Sequence, residues 1–330
     1  MFRMQKTLNN QETDTKKTRV LFLGTPQIAA DILSGLIDAG YNIVGVITEP
    51  DKPVGRGKEM TASPVKKLAQ DGGLKVSQPS SHEELLQSVK DFAPDLMVIA
   101  AYGRILKKEV LDIPKYRCIN VHVSLLPALR GPSPIQYAIL EGLKETGVTI
   151  MEVTEGMDEG PIISQEKIKI DKKETTSSLF KKAIDVGTRL LIETLPKYLD
   201  GSLKSIEQSK EGVSYSKMIR KEDGKIDFSK SAEEEERKLR AYDVWPGSFA
   251  FLDSSLPRVG GKRIKFLSAT VCQSSDKNKG EIFLNNENNL CVKFENGCWI
   301  IETLQLEGEK AISAKDFLNG HKDIIGSILE

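Results

Sequence analysis

Apolar runs alternate with helical repeats through the first half of this chain, and that alternation constrains its fold more than any other feature. Val20–Leu23 is a short apolar run ending in Gly24-Thr25-Pro26. Ile28, Ala29, Ile32, Leu33, Leu36 and Ile37 then recur at helical spacing as far as Gly40. Ile43–Ile47, Leu96–Ala101 and Arg117–Val123 read as further buried strands, with helices at 63–71 and 82–91 and a short segment around Val76 between them. Strands that alternate with helices imply βαβ units, so the spacing predicts an α/β fold with a Rossmann-like, mostly parallel sheet. Strands at 147–154 and 161–170 extend this sheet, and an amphipathic helix over 176–199 closes it. That helix carries Leu179, Phe180, Ala183, Leu190, Leu191 and Leu195 on one face.

Beyond residue 200 the pattern changes. DGSLKSIEQSKEG (200–212) is polar and carries glycines, so 201–212 reads as a linker. Short β-type runs follow at 248–252, 263–271, 280–284, 290–294 and 299–306, with a helix at 231–241 whose EEEE run suits a helix start. That spacing predicts a small C-terminal β-barrel of OB-like form. The expected organisation is a tail, disordered, over 1–17, an α/β domain over 18–200, the linker, and a barrel domain over 213–330. With 330 residues, two domains of about 100–200 residues each are expected.

Lys+Arg and Asp+Glu both number 47, so no bulk charge marks a nucleic-acid or membrane protein, and any polyanion site must be a local patch. The apolar runs are too short to span a bilayer. The opening MFRMQKTLNNQETDTKKT lacks the apolar core of a signal peptide, and with Glu12 and Asp14 it lacks the acid-poor character of a transit peptide. Cytoplasmic residence is therefore expected. Cys118, Cys272, Cys291 and Cys298 are scattered without metal-ligand spacing, and reduced buried thiols are expected.

Several residues are candidates for chemistry. Gly24-Thr25-Pro26 stands where a dinucleotide fold binds phosphate, but it is not G-x-G-x-x-G and Pro26 lacks an amide hydrogen. It reads as a tight turn into a helix. Asn120 and His122 lie two apart on one strand and therefore share a face, opposite Val121 and Val123. Ligands of open parallel sheets collect at the carboxyl ends of strands. An amide donor beside an imidazole there suits stabilising an oxyanion while relaying a proton; a polar strand end satisfied by backbone is the alternative. Asp158, in MDEGPI (157–162), is placed to orient or charge a histidine, or is an ordinary Asp-Glu-Gly turn. Lys52, Arg56 and Lys58 make the proline-rich loop 49–64 basic. Arg258, Lys262, Arg263 and Lys265 cluster in the second half. Each group is either a phosphate-binding patch or a solvated charged surface.

These pieces occur together in a recognisable order. LGTP (23–26), PDKPVGRG (50–57), AAYGRIL (100–106), NVHVSLLPALRGPSPIQ (120–136), TGVTIMEVTEGMDEGPI (146–162) and KAISAKDFLNG (310–320) resemble the folate-dependent formyltransferases from about residue 18 to about 320. The N-x-H…SLLP element with its downstream D-x-G is specific to enzymes that use 10-formyltetrahydrofolate. AYDVWPGSF (241–249), the basic loop and the barrel resemble the member that acts on tRNA.

The resemblance implies a formyl transfer from 10-formyltetrahydrofolate to the free amine of initiator methionyl-tRNA, without metal or nucleotide, by a monomeric enzyme of translation initiation. It implies a catalytic trio of Asn120, His122 and Asp158. It implies folate binding by Ser124, Leu125, Leu126 and Pro127 together with Arg104, Ile105 and Leu106. Arg56 matches the loop arginine that helps hold the acceptor stem, with Lys52 and Lys58 beside it, and Arg258 and Arg263 belong to the barrel that supports the tRNA. Four residues depart from the family pattern: Val123, where a small residue or proline is usual; Ala128, where a basic residue is common; Glu159, in place of a threonine; and Val244, in place of a proline. A sugar-nucleotide formyltransferase is disfavoured by the basic loop and barrel. A formyl-folate hydrolase is disfavoured because such enzymes append other domains. A non-catalytic RNA-binding relic is disfavoured by the intact trio.

Overall fold

A computed structural model describes residues 17–54, 59–273 and 276–330. The expected tail, apart from Lys17, and both Arg56 and Lys58 lie outside the described residues. The chain divides into two compact units. The first comprises the residues up to Pro134 with Glu145–Lys169 and Phe180–Lys217; the second comprises Ile135–Lys144, Ile170–Leu179 and Met218–Glu330.

The first unit is built on a seven-stranded sheet. Its strands are β1 (Val20–Gly24), β2 (Ile43–Ile47), β5 (Val76–Ser77), β6 (Leu96–Ala100), β7 (Cys118–His122), β8 (Glu145–Glu152) and β9 (Ile162–Lys169), in the order β5-β2-β1-β6-β7-β8-β9. The first five run parallel. β8 pairs antiparallel with β7, and β9 antiparallel with β8. The segment 153–161 between β8 and β9 is too short for the crossover that a parallel pair needs. β1 is buried at every position, as an apolar strand covered on both faces must be.

Helices cover both faces. α1 (Gln27–Asp38) starts directly after Pro26, and its neighbour on the same face is α6 (Thr176–Leu199). A Cβ on Gly35 would meet the Thr188 side chain of α6, and one on Gly187 would lie 3.2 Å from Val121. The small residues let α1, α6 and the sheet approach closely. α2 (Pro64–Asp71) is capped by Ser63, and α3 (His82–Phe92) by Ser81, whose hydroxyl accepts from the Glu84 amide at 3.1 Å. On the face opposite α6, Leu85 and Val89 of α3 and Val110 and Leu111 of α4 (Lys108–Leu111) form one core with Leu21, Leu23, Met97, Ile99 and Cys118. The residues expected to form a loop at 49–64 include an antiparallel pair of short strands, β3 (Lys52–Val54) and β4 (Glu59–Thr61).

In the second unit a curled antiparallel sheet has the strand order Ser248–Phe251, Arg263–Cys272, Cys298–Leu306, Leu290–Lys293 and Ile282–Leu284. These strands are β10 (Ser248–Phe251), β11 (Arg263–Cys272), β12 (Ile282–Leu284), β13 (Leu290–Lys293) and β14 (Cys298–Leu306), and β15 (Ile312–Ser313) pairs with β14. Residues 326–330 bridge the two outer strands. Phe251 and Glu330 exchange both backbone hydrogen bonds, at 2.8 and 2.9 Å. Ile282 donates to Ser327 at 2.9 Å and accepts from Gly326 at 2.7 Å. The sheet edges are thereby paired rather than left open. Trp299 is fully buried at the centre, 4.7 Å from the Phe294 ring, with its indole NH donating to the Ala232 carbonyl at 2.9 Å. α7 (Ala232–Ala241) carries a capping box between Ser231 and Glu234, and α8 (Ala314–Gly320) is capped by Ser313.

Two earlier stretches of the sequence, Ile135–Lys144 and Ile170–Leu179, belong to this unit. Arg237 donates to the Leu140 carbonyl of α5 (Pro134–Leu140) at 3.2 Å. Arg240 donates to Glu174 and Thr176 to Ala241, each at 2.7 Å.

The cysteine expectation needs correction. Cys272 and Cys298 form a disulfide across β11 and β14, whose register sets them directly opposite with Cα atoms 5.0 Å apart. Their sequence separation of 26 concealed the pairing. Cys118 and Cys291 are free and buried, and burial pushes the Cys118 thiol up to about 12. Among the described residues, no helix is long and apolar enough to cross a membrane.

Candidate active site

The carboxyl end of β7 sits in the middle of the sheet, between β6 and β8. Register pairs Asn120 with Ile99 and Met151, and His122 with Thr149. Asn120 and His122 share the face of Cys118, which packs on α4, while Val121 faces α6. The alternation read from the sequence therefore holds.

His122 is 6% exposed. Its Nε2 lies 3.1 Å from the Leu129 carbonyl oxygen, and its Nδ1 lies 3.6 Å from Asp158 Oδ2. A carbonyl accepts only, so Nε2 carries a hydrogen toward Leu129, and Nδ1 faces the carboxylate. Asp158 comes from the loop between β8 and β9 and adopts a φ of +51°, in the left-handed region. Its Oδ2 also accepts from the Gly131 amide at 2.8 Å. Gly160, two residues on, is required: a Cβ there would lie 1.9 Å from the Glu152 carbonyl oxygen. The Asn120 carboxamide is partly exposed, and no hydrogen bond holds it among the described residues. It is an unbonded donor on the strand face that also carries the buried imidazole.

The segment after His122 is a tight, heavily bonded turn. Ser124 is buried; its hydroxyl donates to the Ala128 carbonyl at 2.6 Å and its carbonyl accepts from Thr149 at 2.7 Å. Leu126 donates its amide to Thr149 Oγ1 at 3.2 Å and accepts from Gln165 Nε2 at 2.8 Å. The Leu126–Pro127 peptide is cis. Leu125 packs against Gly147, where a Cβ would come within 2.4 Å of it.

After β6 the chain turns sharply, with Ala101 at φ +45° and Gly103 at +85°. Ile105 is 76% exposed, whereas Leu106 is buried. The Arg104 guanidinium is ion-paired with Glu49, which also takes Lys52 at 3.2 Å. Burial acts to raise the Glu49 carboxyl, but the hydrogen bonds and charges of Arg104 and Lys52 outweigh it and hold the group below its ordinary value. The Tyr102 hydroxyl is buried without a hydrogen-bond partner among the described residues, and burial pushes it up to about 12.

Asn120, His122, Asp158 and the 124–127 turn are thus brought together, and Lys52 joins Arg104 through Glu49. Arg258 and Arg263 belong to the second unit. Arg258 is exposed, and the Arg263 guanidinium lies 5.5 Å from the Phe249 ring centre. Of the four departures, Glu159 has an evident partner, Arg130 at 3.2 Å, and Ala128 contributes its carbonyl to Ser124. Val123 is partly exposed just beyond β7, and Val244 is exposed.

Sequence reasoning missed Thr149, Gln165, Arg130 and Gln208. Thr149 left a signal, a hydroxyl inside the apolar run Val148–Met151, where a buried polar group needs a partner. Gln208 left none, because it lies in a polar stretch that resembles a linker.

Comparison with known proteins accords with this geometry. The family model described as "Formyl transferase" matches residues 16–195, and that described as "Formyl transferase, C-terminal domain" matches residues 218–322. A methionyl-tRNA formyltransferase of Myxococcus xanthus is 41% identical over 94% of this chain and 97% of its own length. One of Lachnospira eligens is 38% identical over 94% and 99%. Among solved structures, HypX from Aquifex aeolicus in complex with tetrahydrofolic acid superposes with a TM-score of 0.62 at 17% identity, over 91% of this chain, which spans about half of HypX (47%). That likeness concerns the fold alone. Matched by both family models and nearly end to end by these relatives, the chain belongs to the methionyl-tRNA formyltransferase family.

Proposed function

We infer that this chain transfers the formyl group of 10-formyltetrahydrofolate to the free amine of initiator methionyl-tRNA, giving the N-formylated aminoacyl-tRNA used to begin translation in the cytoplasm. One observation carries the reading: His122 is held between the Leu129 carbonyl and the Asp158 carboxylate, with the unpartnered Asn120 amide on the same strand face.

As the amine adds to the formyl carbon, negative charge develops on the formyl oxygen. Asn120 Nδ2 donates to that oxygen, and His122 joins it through Nδ1, which at 3.6 Å from Asp158 is not held in a hydrogen bond, while Nε2 stays on the Leu129 carbonyl. A donor already fixed where charge appears does not have to reorganise during the step. Asp158 takes part, with His122, in moving a proton from the attacking amine toward the leaving nitrogen. The folate co-substrate lies along Ser124–Pro127 and along the backbone of Arg104–Leu106. The free Asn120 amide, the orphaned Tyr102 hydroxyl and the exposed Ile105 all suit a polar, aromatic ligand beside them. Lys52, Arg56, Lys58, Arg258 and Arg263 contact tRNA phosphates. The protein acts as a monomer, with a catalytic domain over 18–200 and a tRNA-supporting domain over 213–330.

The test is formyl transfer from 10-formyltetrahydrofolate to charged initiator tRNA with an amino-sugar nucleotide as competitor. Formylation of the tRNA alone is expected. Preferential formylation of the sugar, or formate release without transfer, would overturn the reading.

A further inference from the structure

The chain between Ser205 and Lys217 runs as a strap over both loops that carry the site. Ser205 donates to Glu152 at 2.6 Å, and Ile206 and Ile162 exchange backbone hydrogen bonds at 2.7 and 2.8 Å. Further along, the Ser214 hydroxyl accepts from the Leu129 amide at 2.9 Å, and Ser216 donates its amide to the Arg130 carbonyl at 2.7 Å. Between these anchors lies Gln208, and both ends of its carboxamide are engaged. Nε2 donates to the carbonyls of Asp158 and Gly160, each at 2.8 Å. Oε1 accepts from Arg130 Nε at 3.2 Å and Nη2 at 2.8 Å. The remaining Arg130 nitrogen, Nη1, lies 3.2 Å from Glu159.

One amide therefore grips the backbone on either side of Glu159, while the arginine it accepts from holds the Glu159 side chain. The gripped backbone includes Asp158, whose φ of +51° is unfavourable for a residue with a Cβ unless its surroundings enforce it. We propose that Gln208 is a positioning residue, which acts on the reaction by holding Asp158 in the conformation that aims its carboxylate at His122. The inference rests on the assignment of Asp158 to the formyl transfer. Arg130 orients Gln208 by filling its acceptor, so that the amide hydrogens point at the two carbonyls.

Two variants separate the donors from the fold. Gln208→Glu keeps an acceptor for Arg130 and loses both donors; Gln208→Ala loses everything. Small displacements of a catalytic group cost up to about 100-fold in rate. In Gln208→Glu, kcat for tRNA formylation is expected to fall about 10- to 100-fold, with KM for both substrates and the melting temperature near those of the wild type. In an Asp158→Asn background, Gln208→Glu should change single-turnover kcat by less than about twofold, because the group it positions is already gone. The imidazole ¹⁵N resonances of His122 in the free protein should also move in Gln208→Glu, as they do in Asp158→Asn. Wild-type kcat in Gln208→Glu, losses that multiply in the double variant, or unmoved His122 resonances would overturn the proposal. Failure of the wild type to formylate tRNA would sink the functional reading instead, and the resonance test stands apart from that outcome.

Discussion

His122 Nδ1 lies 3.6 Å from Asp158 Oδ2, and the Gly131 amide donates to that same oxygen at 2.8 Å. The carboxylate is therefore oriented by backbone before any substrate binds. General acid–base groups contribute about 10²–10⁴ in rate. His122→Ala is expected to lower formyl transfer by at least about 10³-fold. Binding of charged tRNA, measured by filter retention, should stay within about twofold of the wild type, because the imidazole is buried and makes no phosphate contact. Transfer at the wild-type rate by His122→Ala would remove the histidine from the mechanism.

Asn120 differs from its neighbours in having no partner for its carboxamide among the described residues. Loss of one oxyanion donor costs about 10²–10³ in kcat. Asn120→Ala should show that loss with little change in melting temperature, since no internal hydrogen bond is broken. A fall in stability with kcat preserved would mark the residue as structural.

The chain disclosed its sheet and the core of its site through periodicity. Alternation placed Asn120 and His122 on one face, and the D-x-G spacing placed Asp158 in a loop beyond the next strand; both are local properties. The contacts that fix those residues are not local. Thr149, Gln165 and Gln208 reach the 124–127 turn and the Asp158 loop across 23 to 50 residues of sequence. Gln208 sits in a segment whose polar composition resembles a linker even though its backbone is pinned at Ile206, Ser214 and Ser216. The closing segment 326–330 pairs through isolated bonds without strand alternation. The pairing of Lys52–Val54 with Glu59–Thr61 is hidden by the prolines and glycines of this stretch of sequence. Cys272 and Cys298 meet only because β11 and β14 pair.

The basic side chains assigned to tRNA are tested by salt. Each phosphate contact on a single strand adds about 0.7, and on a duplex about 0.9, to the slope of log K against log salt. Neutralising Arg56, Arg258 and Arg263 together should lower that slope by about 2 to 3 and weaken binding of different tRNAs alike. An unchanged slope in the triple variant would mean that none of these residues touches a phosphate.

Glu49 makes stability depend on acid. Its folded-state value is depressed below the ordinary 4.5, so its contribution is fully present above pH 4.5 and is lost as pH falls through the folded value. Melting temperatures of the wild type and Glu49→Gln, followed from pH 7 to pH 3, should differ by a constant few degrees at the upper end. They should converge at the lower end, where the protonated carboxyl and the amide are equivalent partners for Arg104. A gap that widens on acidification would contradict the assignment of Arg104 and Lys52 as the groups that depress Glu49.

Gly160 connects the loop's shape to its chemistry. A Cβ there would lie 1.9 Å from the Glu152 carbonyl, whose residue is held by its own amide bond to Pro161 at 2.9 Å, so neither side can yield cheaply. Overpacking of this kind costs about 1–3 kcal/mol. Gly160→Ala should lose stability in that range in urea unfolding, and its kcat should fall as well, because the Gln208 bond to the Gly160 carbonyl and the neighbouring Asp158 move with the loop. Gly72→Ala is the control. A Cβ there meets nothing nearer than 3.4 Å, and the change should stay within about 0.5 kcal/mol with kcat intact. Equal behaviour of the two variants would show that the loop relaxes freely and that its conformation does not govern the site.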